Sequence, residues 1–115
     1  MEYKYKAVIV NVVDGDTVDA FVDLGFTVGV SVRFRLYGIN TEEIRDKNPE
    51  LREKAQIAKT FVMDKLMGND VIIKSYKTDK YGRWLGEIFL PSEETSINQQ
   101  LINEGLATEY FGGKR

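Results

Sequence analysis

The sequence has 115 residues, 43% hydrophobic and 30% charged, with sixteen basic side chains against eighteen acidic ones. That is material for a single domain, 1–115, able to bury roughly 65% of its unfolded surface, and the balance argues against disorder. A formal charge of −2 excludes a nucleic-acid binder working through bulk positive charge and leaves only a local patch. In chain order, Tyr3 to Val13 is rich in Val, Ile and Tyr and ends at Asp14-Gly15, a tight-turn signal. Thr17 to Leu24 alternates, with Val18, Ala20, Val22 and Leu24 on one face and Thr17, Asp19 and Asp23 on the other. Val28 to Tyr37 repeats the pattern: Val30, Val32, Phe34 and Leu36 turn inward, and Arg33 and Arg35 fall on the polar face. Three strands on short turns predict an antiparallel meander.

The period then changes. Asn48-Pro49 reads as an N-cap with proline at the first helical position. Leu51, Ala55, Ala58, Val62 and Leu66 recur at spacings of three and four, giving one apolar helix face, and Gly68 supplies the stop. Strand texture returns over Asp70 to Tyr76 and Trp84 to Leu90, and a short helix is predicted over Ser96 to Glu104 before Gly105. The tail, Gly112-Gly113-Lys114-Arg115, reads as frayed. Three strands, a helix, two strands and a helix predict a β-rich α+β fold. The order is that of an OB-fold, a five-stranded Greek-key barrel with one helix between strands three and four and a second, C-terminal helix. A ferredoxin-like sandwich requires a helix after the first strand, and the sequence has none there.

The chain contains neither Cys nor His. Thiolate and imidazole metal sites, cysteine nucleophiles and histidine bases are therefore excluded, leaving carboxylates, Arg, Lys, Tyr, hydroxyls or a hard metal held by oxygen. Three segments carry such groups. Asp14-Gly15-Asp16-Thr17 is an ordinary hairpin turn on its own, yet it sets two carboxylates at a barrel rim, suited to a hard cation. Arg35 to Glu43 reads as a strand running into a polar loop that brings Asn40, Thr41, Glu42 and Glu43 after a fixed guanidinium. Thr78-Asp79-Lys80-Tyr81-Gly82-Arg83 is a polar hairpin loop that also offers Arg83 and Lys80 for phosphate and Tyr81 for stacking.

The order and spacing of these three segments, continuing into Leu101, Gly105, Leu106 and Ala107, resembles the staphylococcal nuclease (thermonuclease) family over nearly the whole chain. The resemblance implies Ca²⁺-dependent hydrolysis of DNA and RNA phosphodiesters that leaves 3′-phosphate ends. It implies Asp16, Asn40 and Thr41 (through its backbone carbonyl) at the metal, with Asp14 just outside the coordination sphere. It also implies Glu43 on the attacking water, Arg35 and Arg83 on the scissile phosphate, and Lys80 and Tyr81 beside the bound nucleotide.

Two positions depart from the family pattern. Asn40 stands where the family has a second metal-binding aspartate, keeping an oxygen donor but giving up a charge on which Ca²⁺ affinity depends. Glu42 replaces a proline, freeing the backbone that aims Glu43 while adding a carboxylate. The expected activity is a metal-dependent endonuclease acting on DNA or RNA as a monomer, with single-stranded or flexible substrates favoured by the acidic total. The rival is a nuclease-like barrel that binds nucleic acid or protein without cleaving. No membrane span is expected. Met1 to Lys6 lacks the apolar run of a secretory signal, so the expectation is cytoplasmic for a complete chain and secreted if a signal has been removed.

Overall fold

A computed structural model describes residues 3–76, 78 and 82–110. Alternating side chains build β1 (Tyr3–Asp14), β2 (Thr17–Gly25) and β3 (Val28–Leu36), each antiparallel to the one before. A very short β4 (Ile39–Thr41) follows, then α1 (Pro49–Leu66), β5 (Asp70–Tyr76), β6 (Trp84–Phe89), α2 (Ile97–Asn103) and another short strand, β7 (Ala107–Glu109). Five strands close into a barrel in the order β1-β2-β3-β6-β5. Closure comes from antiparallel β1–β5 pairing and a parallel seam between β3 and β6, Phe34 opposite Trp84 and Leu36 opposite Gly86. This is the OB-fold topology expected from the element order.

The barrel is filled by Ile9, Val12, Val18, Ala20, Val22, Phe34, Leu36, Ile73 and Ile88. Helix α1 lays Ala58, Val62 and Leu66 onto this core, and α2 adds Ile97 and Leu101. Each large aliphatic side chain buried there contributes roughly 1.5–3 kcal/mol. Asn48 caps α1 by accepting the Glu50 N–H at 2.9 Å, with Pro49 opening the helix. Ser96 caps α2 through Gln99 N–H at 3.1 Å. Gly68 and Gly105 follow the two helices with φ of +73° and +72°, the left-handed stop anticipated for both.

Several expectations need correction. Leu24 and Val30, read as inward, are 47% and 40% exposed. The β2–β3 hairpin outruns the barrel: among the described residues β3 pairs with β6 only from Phe34 onward, and the core ends at Val22 and Val32, short of the hairpin tip. Leu51 is half-buried, at the edge of the α1 apolar face. The segment after Tyr37, read as a loop, holds β4, which pairs antiparallel with β7 (Ile39 opposite Glu109, Thr41 opposite Ala107). Three residues carry too little alternation to announce a strand whose partner lies so far along the chain. The expected frayed tail, 112–115, lies outside the described residues.

The Asp14-Gly15 turn also has another reason than the one expected. Gly15 does not adopt a positive φ. A Cβ placed there would lie 2.8 Å from the Ala58 Cβ and 3.2 Å from Thr41, so glycine is required by the close approach of α1 and β4.

Candidate functional site

The site is assembled by strand register. Thr17 pairs with Arg35 across β2 and β3, and the Leu36 N–H donates to the Asp16 carbonyl at 2.8 Å. Arg35 therefore arises beside the β1–β2 turn. Read from alternation as part of an outward polar face, it is only 7% exposed. Its Nη2 donates to Asn40 Oδ1 at 3.0 Å and stands 3.9 Å from Asp16 Oδ2. Its guanidinium carbon lies 5.2 Å from the centre of the Tyr110 ring, a cation–π contact. A buried guanidinium between a carboxylate and an amide oxygen is a directed arrangement, since an unpaired buried charge is strongly unfavourable.

Asp16 is held from three sides. Its Oδ2 accepts the Thr41 backbone N–H at 3.3 Å, its Oδ1 accepts the Thr17 hydroxyl at 3.2 Å, and its own N–H donates to Asp14 Oδ1 at 3.0 Å. The Asp14 carboxyl is pushed up to about 7, first by burial and then by the hydrogen bonding and charge of Asp16. Asn40 and Thr41 are fixed by the β4–β7 ladder, Asn40 opposite Thr108. That ladder is anchored in turn where the Tyr110 N–H donates to the Gly38 carbonyl at 2.8 Å.

Asp14, Asp16, Arg35, Asn40 and Thr41 thus form one cluster. Glu43 lies two residues past Thr41, exposed, its carbonyl accepting the Asp46 N–H at 3.1 Å. Arg83 lines a cleft together with Arg35 and Thr17 at the start of β6. Lys80 and Tyr81 lie outside the described residues.

Asp16, Asn40 and Thr41 supply a carboxylate, a side-chain amide oxygen and a backbone carbonyl. This all-oxygen set fits a hard cation in kind. It carries one formal negative charge, shared with the Arg35 guanidinium. Among the described residues no three acidic side chains converge as a metal cage. A cation here would rely on few protein charges and gain from an anionic ligand.

Two contributors escape sequence reasoning. Asn98 on α2 is buried, accepts the Ile88 N–H at 3.2 Å and donates to the carbonyls of Tyr37 (2.9 Å) and Gly86 (3.1 Å). It locks the end of β3 to β6 where both strands deliver the site. Tyr110 follows the last described strand, and nothing in its local pattern marks it as a neighbour of Arg35. Tyr37 also stacks on Tyr76, with ring centroids 3.9 Å apart.

Residues 33–115 match the model of the staphylococcal nuclease homologue family. An uncharacterized protein of Methanocaldococcus jannaschii is 33% identical over 93% of this chain and 60% of its own length. Protein ParB of Escherichia coli is 29% identical over 92% of this chain and 58% of its own, and micrococcal nuclease of Shigella flexneri is 26% identical over 92% and 59%. The chain spans about three-fifths of the length of these relatives. Barrel topology, the clustered polar residues and the match over most of the chain agree, and the protein belongs to the staphylococcal nuclease homologue family.

Proposed function

We propose that the protein is a Ca²⁺-dependent nuclease that hydrolyses DNA or RNA phosphodiesters and leaves 3′-phosphate ends. The observation that carries this reading is Arg35, buried, bridging Asn40 and Asp16, and sharing a cleft with Arg83. Family membership and the name of the Shigella flexneri relative support it.

In this reading Asp16, Asn40 and the Thr41 carbonyl hold the cation, and Asp14 orients Asp16 from behind. When bound, Ca²⁺ supplies positive charge beside the phosphate. Hydrolysis adds a water oxygen to phosphorus, breaks the bond to the 5′ oxygen and leaves a 5′-hydroxyl. Negative charge builds on the non-bridging phosphate oxygens, and Arg35 and Arg83 stabilise it. Planar guanidinium forks suit that task better than ammonium groups. Glu43 takes the proton from the attacking water, and solvent protonates the departing 5′ oxygen. Lys80 and Tyr81 flank the nucleotide. The acidic total weakens adhesion to duplex, so single-stranded or flexible strands are the preferred substrates, cleaved by a monomer.

A second reading has its own observation. Asn40 leaves the cation site one charge short, consistent with a barrel that binds nucleic acid without turnover. The test is cleavage of a single-stranded oligonucleotide in Ca²⁺ against EGTA, with end-group analysis. Ca²⁺-dependent fragments bearing 3′-phosphates are expected; binding without cleavage in either condition selects the second reading.

A further inference from the structure

β6 begins at Trp84, and among the described residues its parallel pairing with β3 runs from Phe34–Trp84 to Leu36–Gly86. Beside the start of this seam lies a cleft of about 430 Å³ lined by Val30, Val32, Arg33, Arg83 and Trp84. Its upper end reaches Arg35 and Thr17, so it opens directly onto the site described above. Its volume lies within the range of pockets that take a small ligand.

Trp84 is the only tryptophan of the sequence and is 51% exposed in this cleft. A large half-exposed ring costs solvation unless something covers it, and here it stands next to Arg83. Arg33 on β3 is clamped by Asp19 on β2, Nε to Oδ1 at 2.7 Å and Nη2 to Oδ2 at 3.1 Å. That clamp draws the guanidinium towards β2, on the side of β3 away from β6. The cleft therefore combines an aromatic face with Arg35 and Arg83 in its lining, in an overall acidic protein. An aromatic platform among fixed cations suits a nucleobase joined to phosphates.

We infer that Trp84 is a base-stacking platform that receives the nucleotide adjacent to the phosphate held at Arg35 and Arg83, making this cleft a subsite for single-stranded nucleic acid. The inference rests on the nuclease reading for its direction and deepens it. A base must be splayed out to lie on the ring, so the subsite discriminates against duplex. It also makes Trp84 a positioning residue, acting on how the strand lies and not on the reacting atoms.

The single tryptophan reports on its own occupancy. Titrating the protein in EGTA with a short single-stranded oligothymidylate, and separately with its RNA counterpart, should quench the Trp84 emission, and the matching duplex should quench it far less. Trp84→Ala should weaken oligonucleotide binding roughly tenfold and raise KM by a similar factor with a smaller change in kcat, and Trp84→Phe should restore most of both. Emission unmoved by either strand, together with unchanged KM in Trp84→Ala, overturns the inference while leaving Ca²⁺-dependent cleavage intact. Quenching without any cleavage keeps the subsite and removes the nuclease. Emission that responds to an alternating Glu-Val peptide and not to oligonucleotide assigns the cleft to peptide binding, and the inference falls.

Discussion

Arg35 lies closer to Asn40 than to Asp16: its Nη2 is 3.0 Å from the Asn40 amide oxygen and 3.9 Å from the Asp16 carboxylate. The guanidinium is thus oriented by a neutral acceptor. Asn40→Asp adds a second charge at this point without altering side-chain length. Cation affinity should rise, by roughly tenfold, because hard-cation binding follows ligand charge. Calcium calorimetry on the variant checks it. Unchanged affinity would place the cation elsewhere.

Asp14 gives the metal-free protein a pH signature. Its carboxyl is raised from the ordinary 3.8 to about 7, so between those values the folded chain holds a proton that the unfolded chain has released. Stability from this group is complete below 3.8 and is lost as pH climbs through about 7. Urea denaturation in EGTA across that window should show stability falling with pH, and Asp14→Asn should flatten the slope.

Gly15 is a packing position. Gly15→Ala forces a methyl against Ala58 and Thr41, and should destabilise the protein by about 1–3 kcal/mol. Gly15→Ala combined with Ala58→Gly recovers part of that loss if the 2.8 Å approach is the cause. Denaturant midpoints of the single and double variants measure it.

Asn98→Leu removes the side-chain partner of the Ile88 N–H and the Tyr37 carbonyl in a buried place, while the Gly86 carbonyl keeps the Tyr37 N–H at 2.8 Å. The expected loss is about 2–4 kcal/mol. Because both site-bearing strands meet at this residue, cleavage should fall at temperatures where the variant remains folded. Circular dichroism alongside the cleavage rate separates the two effects.

The tip of the β2–β3 hairpin is strained. Phe26 and Thr27 occupy positive φ of +55° and +61°, and Phe26 is 98% exposed. Bulky residues pay about 1 kcal/mol or more each in this conformation. Replacing the pair with Asn-Gly should stabilise the protein by about 1–2 kcal/mol, read as a raised Tm.

Most of the barrel is legible in the sequence because its strands are long and alternate, and α1 because Asn48, Pro49 and Gly68 punctuate a four-residue rhythm. The short strands β4 and β7 are not, since three residues cannot display a period and their stability comes from each other. The hairpin misleads for a related reason: Leu24 and Val30 keep the alternation after the barrel beneath them has ended. At the site, the family resemblance carried by the three polar segments marks Asp16, Arg35, Asn40 and Thr41, which the fold gathers into one cluster. The depth of Arg35 is not marked. Alternation assigns it outward, whereas among the described residues Asn40 of β4 and Tyr110 reach it from elsewhere in the chain. Asn98 is silent in the sequence for the same reason, being a polar residue on a helix whose partners are all backbone groups of distant strands.

The account depends on two guanidinium groups and a cation sharing one phosphate. Single-turnover cleavage of a single-stranded oligonucleotide at saturating Ca²⁺ by Arg83→Ala, with the exposed Arg45→Ala as control, tests it most directly. A loss of roughly 10²-fold or more in the cleavage rate, confined to Arg83→Ala, is the predicted result. Equal rates for wild type and Arg83→Ala would contradict it.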